Sequence, residues 1–439
     1  MKKRVIIIGG GVAGMQTALR LAEQGVSPVI IEKEAELGGK LRGWHVLFPS
    51  FTPAQEVLTE LRRRVNESGI EVMTSTEVTG FTKESVTLAD GRTLPCDSVV
   101  VASGFTLFDA SIKEEYGYGI YDNVFTTADI ERMLNEGRVA KADGSRPRRI
   151  AFLHCVGSRD EKVCQQHCSK VCCITGVKQA MEMKQLFPEA DVFNFYMDIR
   201  MFGPGYEEMY REAQQRYNIH FLRGRISEAS PTIDGRVQIK AEDTLTGRPL
   251  RMSVDMLVLI VGMRANDDNE AFAAGAGLNR APSGFLAPRD MFLGNVKSNV
   301  DGIFYAGTIT APKNIGESLN EQPTPRPNTW RHSNGGDQFR IHHFEAPGHR
   351  HRPQQPAQER RDPARDARVA DLHRLRGLHG GLHGGQPHGV QFPQGPHAGA
   401  PRRIPGGLRG DEQVHAVRQM PAGVPARHQY ARRGDAYQT

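Results

Sequence analysis

The sequence predicts an α/β protein with two units, each a parallel sheet flanked by helices, followed by a tail of different character. Three observations carry this. Arg4-Val5-Ile6-Ile7-Ile8 and Ile150-Ala151-Phe152-Leu153 are short apolar runs without a polar face, as expected of strands buried on both sides of a parallel sheet. The first run opens directly into Gly9-Gly10-Gly11-Val12-Ala13-Gly14. The second opens into a stretch, Cys155 to Cys173, that holds five of the six cysteines.

At 439 residues the chain is long enough for two or three domains with their own cores. Its net charge of +6 misleads, because up to Gln322 there are 38 Lys and Arg against 41 Asp and Glu, whereas the remainder has 18 Arg, no Lys and 9 acids. The body is mildly acidic, which argues against a nucleic-acid partner. No apolar run approaches the roughly eighteen residues of a membrane span, and Met1-Lys2-Lys3-Arg4 leads into a strand rather than a signal-peptide core. These features predict a cytoplasmic protein with no direct membrane span. Crowded cysteines in such a protein suggest a metal or redox centre rather than a disulfide framework.

Gly9, Gly11 and Gly14 fit G-x-G-x-x-G between a strand and a segment of helical character, Met15 to Gln24, that ends at Gly25. A second apolar strand, Pro28 to Ile31, stops at Glu32, eighteen residues past Gly14 and about where an acid accepts the ribose hydroxyl of an adenine dinucleotide. Strand, glycines, helix, strand and acid in that order predict a Rossmann-type site, and the charge of Glu32 disfavours a phosphorylated ribose. The segment Glu32-Lys33 to Leu37-Gly38-Gly39-Lys40 resembles the one that flavoproteins of the disulfide-reductase type place around FAD. The resemblance favours FAD over NAD here, with Gly9, Gly11, Ala13, Gly14, Glu32, Lys33, Gly39 and Lys40 as candidate contacts.

An amphipathic helix between Pro53 and Ser68 presents Leu58, Leu61 and Val65, and Ile70-Glu71-Val72 begins a strand. Ala89-Asp90-Gly91 between two β-rich runs predicts a hairpin. Asp97 to Gly104 is a buried strand ending in small residues. It resembles the strand that returns beside FAD in these flavoproteins, which adds Ser103 and Gly104 to the candidates. Cys96 is read as a packed or idle thiol. After a polar segment, Ala140 to Arg149, the strand at Ile150 opens the second unit, but the glycine turn of a nicotinamide site is absent. His154-Cys155-Val156-Gly157-Ser158-Arg159 stands in its place.

The spacing C-x8-C-x3-C-x3-C-C matches neither the usual ferredoxin run nor a zinc ribbon. The adjacent Cys172 and Cys173 do not easily share one metal ion but can ligate different irons of a cubane. On spacing alone an iron–sulfur cluster, a zinc site and thiol redox chemistry all remain open.

Three motifs together, His154 to Cys173, Asp198 to Glu208 and Gly307 to Ile315, resemble the A subunit of heterodisulfide reductase and its counterpart in quinone-interacting membrane-bound oxidoreductases, over Lys3 to about Asn320. The resemblance implies a [4Fe-4S] cluster on Cys155, Cys168, Cys172 and Cys173, with Cys164 spare. It also implies that Lys178, one helical turn past Cys173, approaches the flavin ring; position alone equally allows a solvated helix lysine. Asp198, Arg200, Tyr206, Glu207 and Glu208 contact flavin, a partner or one another, and the sequence does not choose among these. Met256 to Met263 is read as the strand returning the chain to the first unit. Gly302 to Gly307 resembles the closing FAD motif, with Gly307 and Thr308 as contacts; Thr308 departs from the Asp of the wider class as the narrower group does. A last helix would begin at Gly316 or Glu317, and the composition change after Gln322 predicts that it does not develop.

From Pro323 onward the chain is rich in Arg, Pro, Gly and His and lacks a sustained apolar period, so it is expected to be disordered. Its residue pairs suggest more. Leu-His, Leu-Arg, Val-His, Val-Arg, Met-Pro and Val-Pro can each be encoded with TGC across the codon junction, giving Cys in a frame advanced by one base. Such pairs start at Leu372, Leu375, Leu378 and Leu382, and again at Val414, Val417, Met420 and Val424. Both sets have the C-x2-C-x2-C-x3-C register of a ferredoxin. The tail is therefore read as a frameshifted two-cluster module.

These readings give an FAD-binding domain at 1–130 and 258–322, a second Rossmann-like domain carrying the cysteines at 146–257, and the tail at 323–439. The implied function is that of an FAD- and iron–sulfur-dependent electron-transfer subunit, working within an anaerobic complex with other iron–sulfur or disulfide-reductase subunits, one of them a possible membrane anchor. The alternatives are a stand-alone NAD(P)H-dependent flavin oxidoreductase and a non-catalytic assembly subunit.

Overall fold

The computed structural model describes residues 3–321 and Pro323. The expectations for the tail, the shifted cysteine registers included, lie outside the described residues. β1 (Arg4–Ile8) is all apolar after its first residue because both its faces are covered. It runs into α1 (Val12–Glu23) and returns as β2 (Ser27–Ile31). α2 (Ala54–Glu67) buries Leu58, Leu61 and Val65, and β3 (Glu71–Met73) follows. After a three-stranded antiparallel sheet between Val78 and Pro95 come β4 (Ser98–Val101) and β5 (Phe105–Leu107).

The second unit starts with β6 (Val124–Thr126) and α3 (Thr127–Asn135), whose start is fixed by a reciprocal cap between Thr126 and Asp129. β7 (Arg149–Val156), α4 (Cys172–Leu186), β8 (Asp191–Tyr196), α5 (Tyr206–Gln215) and β9 (His220–Arg223) follow. Three antiparallel strands between Ile226 and Val254 precede β10 (Met256–Val261). The chain then passes β11 (Met263–Ala265), α6 (Asn269–Ala276), β12 (Ile303–Tyr305) and α7 (Ile315–Asn320).

Two five-stranded parallel sheets result, ordered β12-β4-β1-β2-β3 and β6-β10-β7-β8-β9. Alternate side chains enter different cores. Ile7, Ile30 and Val100 pack with α1 and α2, while Ile6, Val29 and Val99 pack with Phe81, Val86 and Leu88 of the antiparallel sheet. In the second unit Ile150 and Phe152 pack with α4, and Ala151 and Leu153 pack on the other antiparallel sheet.

Two expectations change. Met256–Val261 does not return the chain to the first sheet; it lies between β6 and β7, and all six of its residues are buried because a central parallel strand is covered on both faces. The return is β11, which pairs antiparallel with β5, Phe105 opposite Ala265 and Leu107 opposite Met263. A last helix also does form over Ile315–Asn320, because Asn314 and Glu317 cap its first turn reciprocally, Glu317 N–H donating to Asn314 Oδ1 at 2.7 Å and Asn314 N–H to Glu317 Oε2 at 3.0 Å. The composition change lies beyond that cap.

Ile7 is 0% exposed. Ile7→Ala is expected to lower unfolding free energy by about 2–5 kcal/mol, and Ile233→Ala, at a fully exposed position, to change it by less than about 0.5 kcal/mol. Chemical denaturation of the two variants checks this.

Candidate functional site

In an open parallel sheet, ligands bind beyond the strand ends where the strand order reverses. In the first sheet that point lies between β1 and β4, and a cavity of about 1700 Å³ opens there. Gly9 has φ +109°, and a Cβ on it would stand 2.5 Å from the Ala102 carbonyl oxygen. A Cβ on Gly14 would stand 1.9 Å from the Gly9 carbonyl oxygen, so α1 can approach β1 only with glycine at that position. α1 begins at Gly11 with no side-chain cap, which leaves its first-turn amides and positive end for an anion.

Glu32 is buried and held on both oxygens, Gly10 N–H donating to Oε2 at 2.7 Å and Glu34 N–H to Oε1 at 2.9 Å. Its free lone pairs face the cavity that it lines. Gly9, Gly11, Ala13 and Gly39 border the same space, as do Ser103, Gly104 and Thr308. Lys33 and Lys40 border it too; Lys33 pairs with Asp268 at 3.9 Å. Burial, reinforced by Lys33, pulls the Lys40 ammonium below its ordinary range, and its Nζ stands 5.3 Å above the Phe105 ring. Gly14 and Gly307 are not in the wall. Gly14 is the close-packing position beneath it, and Gly307, at φ +70°, accepts from Lys313 Nζ at 2.9 Å.

The corresponding point of the second sheet lies between β7 and β10, and the cysteines occupy it. Among the described residues, seven other than glycine have positive φ, and four of them fall here: Cys155 at the end of β7, and Arg159, Cys164 and Lys170 in the loop that follows. Each such residue costs of order 1–3 kcal/mol, and strain of this kind gathers at functional sites. The loop is braced internally. Ser158 Oγ–H donates to the His167 carbonyl at 3.0 Å and accepts from Ser169 N–H at 2.9 Å. Met263 N–H donates to Ser169 Oγ at 2.8 Å, and His167 Nε2 lies 2.8 Å from the Met263 carbonyl, tying the loop to β11.

Cys155, Cys172 and Cys173 are buried, Cys168 is half-buried and Cys164 exposed. The three buried thiols interact directly. Hydrogen bonding from Cys172 lowers Cys155 and Cys173, and His154 lowers Cys173 further, whereas Cys172 is raised by its two thiol partners. His154 is turned by Asn194, Nε2 to Oδ1 at 2.8 Å. Cys168 Sγ accepts from Lys170 N–H at 3.3 Å. The charges of both Cys155 and Cys168 act on Arg159. Among the described residues no three His, Cys, Asp or Glu side chains converge as a single-ion site. Val171, the residue before Cys172, is part of the cavity wall, whereas none of the cysteines is.

Lys178 is neither solvated nor in the wall. It is fully buried between Glu131 and Glu182, at 2.5 and 3.1 Å. Asp198 is taken by Arg159 at 2.8 Å and Arg223 at 3.6 Å, and Arg200, Glu207 and Glu208 are exposed. Tyr206 borders the cavity, and its hydroxyl accepts from Asn314 Nδ2 at 3.1 Å. Cys96 is half-buried, and burial pushes its thiol up to about 11.

Several partners escaped the sequence reading. Lys170 of the cysteine loop pairs with Glu317 of α7, and Glu131, Glu182 and His45 surround Lys178. The i, i+4 spacing of Lys178 and Glu182 and the N-x-x-E start at Asn314 were the available signals.

Asp160, 3% exposed, anchors the loop through Lys113 at 2.9 Å and Arg225 at 2.6 Å. Burial alone would raise its carboxyl, but the bonds from Lys113 and Arg225 outweigh that and hold it below its ordinary value. A depressed carboxyl contributes stability that is complete above its unfolded pKa of about 3.9 and is lost as pH falls through the folded value. Asp160→Asn, which leaves the Lys113 ammonium with Glu115 alone, is therefore expected to cost about 1.5–3 kcal/mol at pH 7. Urea titrations from pH 7 downward should show the gap between parent and variant closing only below about pH 4.

The pyridine nucleotide-disulphide oxidoreductase family matches residues 3–140. Over 410 residues the chain is 32% identical to the iron-sulfur A subunit of the CoB–CoM heterodisulfide reductase of Methanocaldococcus jannaschii, covering 72% of this chain and 62% of that one. It is also 32% identical over 416 residues to the first of two corresponding A subunits of Methanopyrus kandleri, covering 73% and 62%. The chain thus spans about three fifths of the length of these relatives. Thioredoxin reductases of T. acidophilum and Lactococcus lactis each superpose with a TM-score of 0.52 at 17% identity, over 72% of this chain and 95% and 94% of theirs, which establishes the fold. The family match and the glycine cradle both support FAD in the cavity. With the cavity, the cysteine loop and these likenesses together, the chain is similar over 72% of its length to the A subunits of CoB–CoM heterodisulfide reductases and is built on the disulphide oxidoreductase fold.

Proposed function

We propose that the chain is an FAD- and iron–sulfur-dependent electron-transfer subunit of a heterodisulfide reductase-like or quinone-interacting redox complex. The observation that carries the reading is the set of three buried, mutually interacting thiols in the segment Cys155 to Cys173, whose Val171 borders the cavity. Gly9, Gly11, Ala13 and Glu32 would hold the adenine half of FAD, with Lys33, Gly39, Lys40, Ser103, Gly104 and Thr308 around the remainder; Gly14 serves the close packing of α1 on β1, and Gly307 lies outside the wall. Cys155, Cys168, Cys172 and Cys173 would hold a [4Fe-4S] cluster, and the chemistry of the donor set fits it: three buried, interacting thiols, a half-buried fourth in the same loop, and Arg159 to offset the cluster's negative charge. Bound there, FAD supplies conversion between electron pairs and single electrons, and the cluster carries single electrons.

The chain's own contribution is positioning. Ser158, Ser169 and His167 fix the cysteine loop against β11, and the Lys170–Glu317 pair ties it to α7. Partners would be other iron–sulfur or disulfide-reductase subunits in the cytoplasm, with membrane attachment left to a partner. Among the described residues no helix is long and apolar enough to cross a membrane. We place the FAD domain at 1–130 and from the β11 return to 322, and the cysteine domain at 146–257 together with the rest of β10. A stand-alone nicotinamide-dependent oxidoreductase is disfavoured, because the strained cysteine loop fills the position where a second dinucleotide would bind.

Anoxic purification followed by flavin, iron and sulfide analysis and low-temperature EPR tests the assignment. Cys155→Ala is expected to abolish the reduced-cluster signal and most bound iron while FAD is retained, and Cys164→Ala to leave both unchanged. A cluster signal that survives Cys155→Ala unaltered refutes the ligand set.

A further inference from the structure

A buried charge group that the electron path does not use lies behind the cavity wall, on α3 and α4. The Lys178 side chain is 0% exposed, with Nζ 2.5 Å from Glu131 Oε1 and 3.1 Å from Glu182 Oε2. Glu182 Oε1 lies 2.7 Å from His45 Nδ1; the Glu182 side chain is 4% exposed and that of His45 39%. At the other end Glu131 borders the cavity. A run of polar contacts, His45 to Glu182 and Lys178 to Glu131 by hydrogen bonds and Glu182 to Lys178 by an ion pair at 3.1 Å, thus joins solvent to the cavity. Among the described residues the other polar contacts of these side chains are the His45 N–H at 2.8 Å, Gln179 Nε2 at 2.7 Å, and the Val46 carbonyl at 3.3 Å.

The charges of this group do not balance. Two carboxylates and one ammonium leave one negative charge in excess while His45 is neutral, and an uncompensated buried charge is costly. One added proton relieves it. Burial, the largest influence, keeps the Glu182 carboxyl above its ordinary range, with Lys178 opposing. A structural ion pair needs one carboxylate per ammonium. The second carboxylate here is bonded to a half-exposed imidazole, the side chain that exchanges protons with water near neutral pH.

We propose that His45, Glu182, Lys178 and Glu131 form a proton-entry relay that delivers protons from solvent to the cavity when its ligand is reduced. His45 takes a proton from water on its outer nitrogen and passes the Nδ1 proton to Glu182. Glu182 replaces the proton that Lys178 gives to Glu131, and Glu131 releases its proton into the cavity. The charges are restored, one proton crosses and no electron is carried; His45 is left with its proton on Nε2 and returns to the Nδ1–H form by exchange with water. The relay rests on the FAD reading, since a flavin takes up protons with its electrons.

The test is anoxic stopped-flow bleaching of the FAD-loaded full chain by dithionite, in H2O and in D2O. The parent should show a solvent isotope effect. His45→Ala should bleach roughly tenfold or more slowly and regain its rate with added imidazole, whereas Glu182→Gln should be slow with or without imidazole. FAD content and thermal midpoint identify any variant that has lost the fold. Parent-like rates and isotope effects in both variants overturn the relay, as does slowing of His45→Ala without imidazole rescue, which makes His45 structural. A parent chain that takes up no FAD overturns the functional reading itself.

Discussion

The antiparallel pairing of β5 with β11 is the constraint on which the rest depends. Two parallel sheets from one chain need two crossings between them, and here the outgoing Phe105–Leu107 and the returning Met263–Ala265 are hydrogen-bonded to each other. The ribbon fixes more than the domains. Asn266 Nδ2 donates to the Ser103 carbonyl at the cavity edge, while Met263 engages Ser169 and His167 of the cysteine loop. One short ribbon therefore references the cavity and the thiols to the same backbone, and a displacement of either unit would be felt at both.

The cysteine loop shows how a fold position can be kept while its chemistry is exchanged. The end of β7 is where a dinucleotide would be cradled in a second Rossmann-type unit. Non-glycine residues with positive φ, hydroxyls of Ser158 and Ser169 turned inward, and the Asp160 ion group replace the glycine turn. Such strain persists only when the surroundings over-determine it, and the brace to β11 together with the Lys113 and Arg225 anchors does so.

Much of this was legible in the residues. The first sheet could be read because its strands are unbroken β-branched runs and its glycines are dictated by close backbone approach at Gly9 and Gly14. The cysteine cluster was visible from density alone. Met256–Val261 misled because a fully apolar strand announces burial on both faces but not which sheet buries it. Lys178 misled for a related reason: helix position specifies a face, whereas its partners come from α3 and from the segment at His45, far away in sequence. α7 was missed because composition was weighed over the local capping pair Asn314 and Glu317.

Flavin in the cavity and a cluster on the cysteine loop that contains Val171 form the central proposal. Diffraction from crystals of anoxically purified protein, with anomalous data collected at the iron edge, tests it most directly. A compact four-iron peak enclosed by Cys155, Cys168, Cys172 and Cys173 is expected, with FAD density along Gly9–Gly14 and Glu32 in the cavity. A single zinc peak, or an empty thiol group beside a flavin-bound cavity, would contradict it.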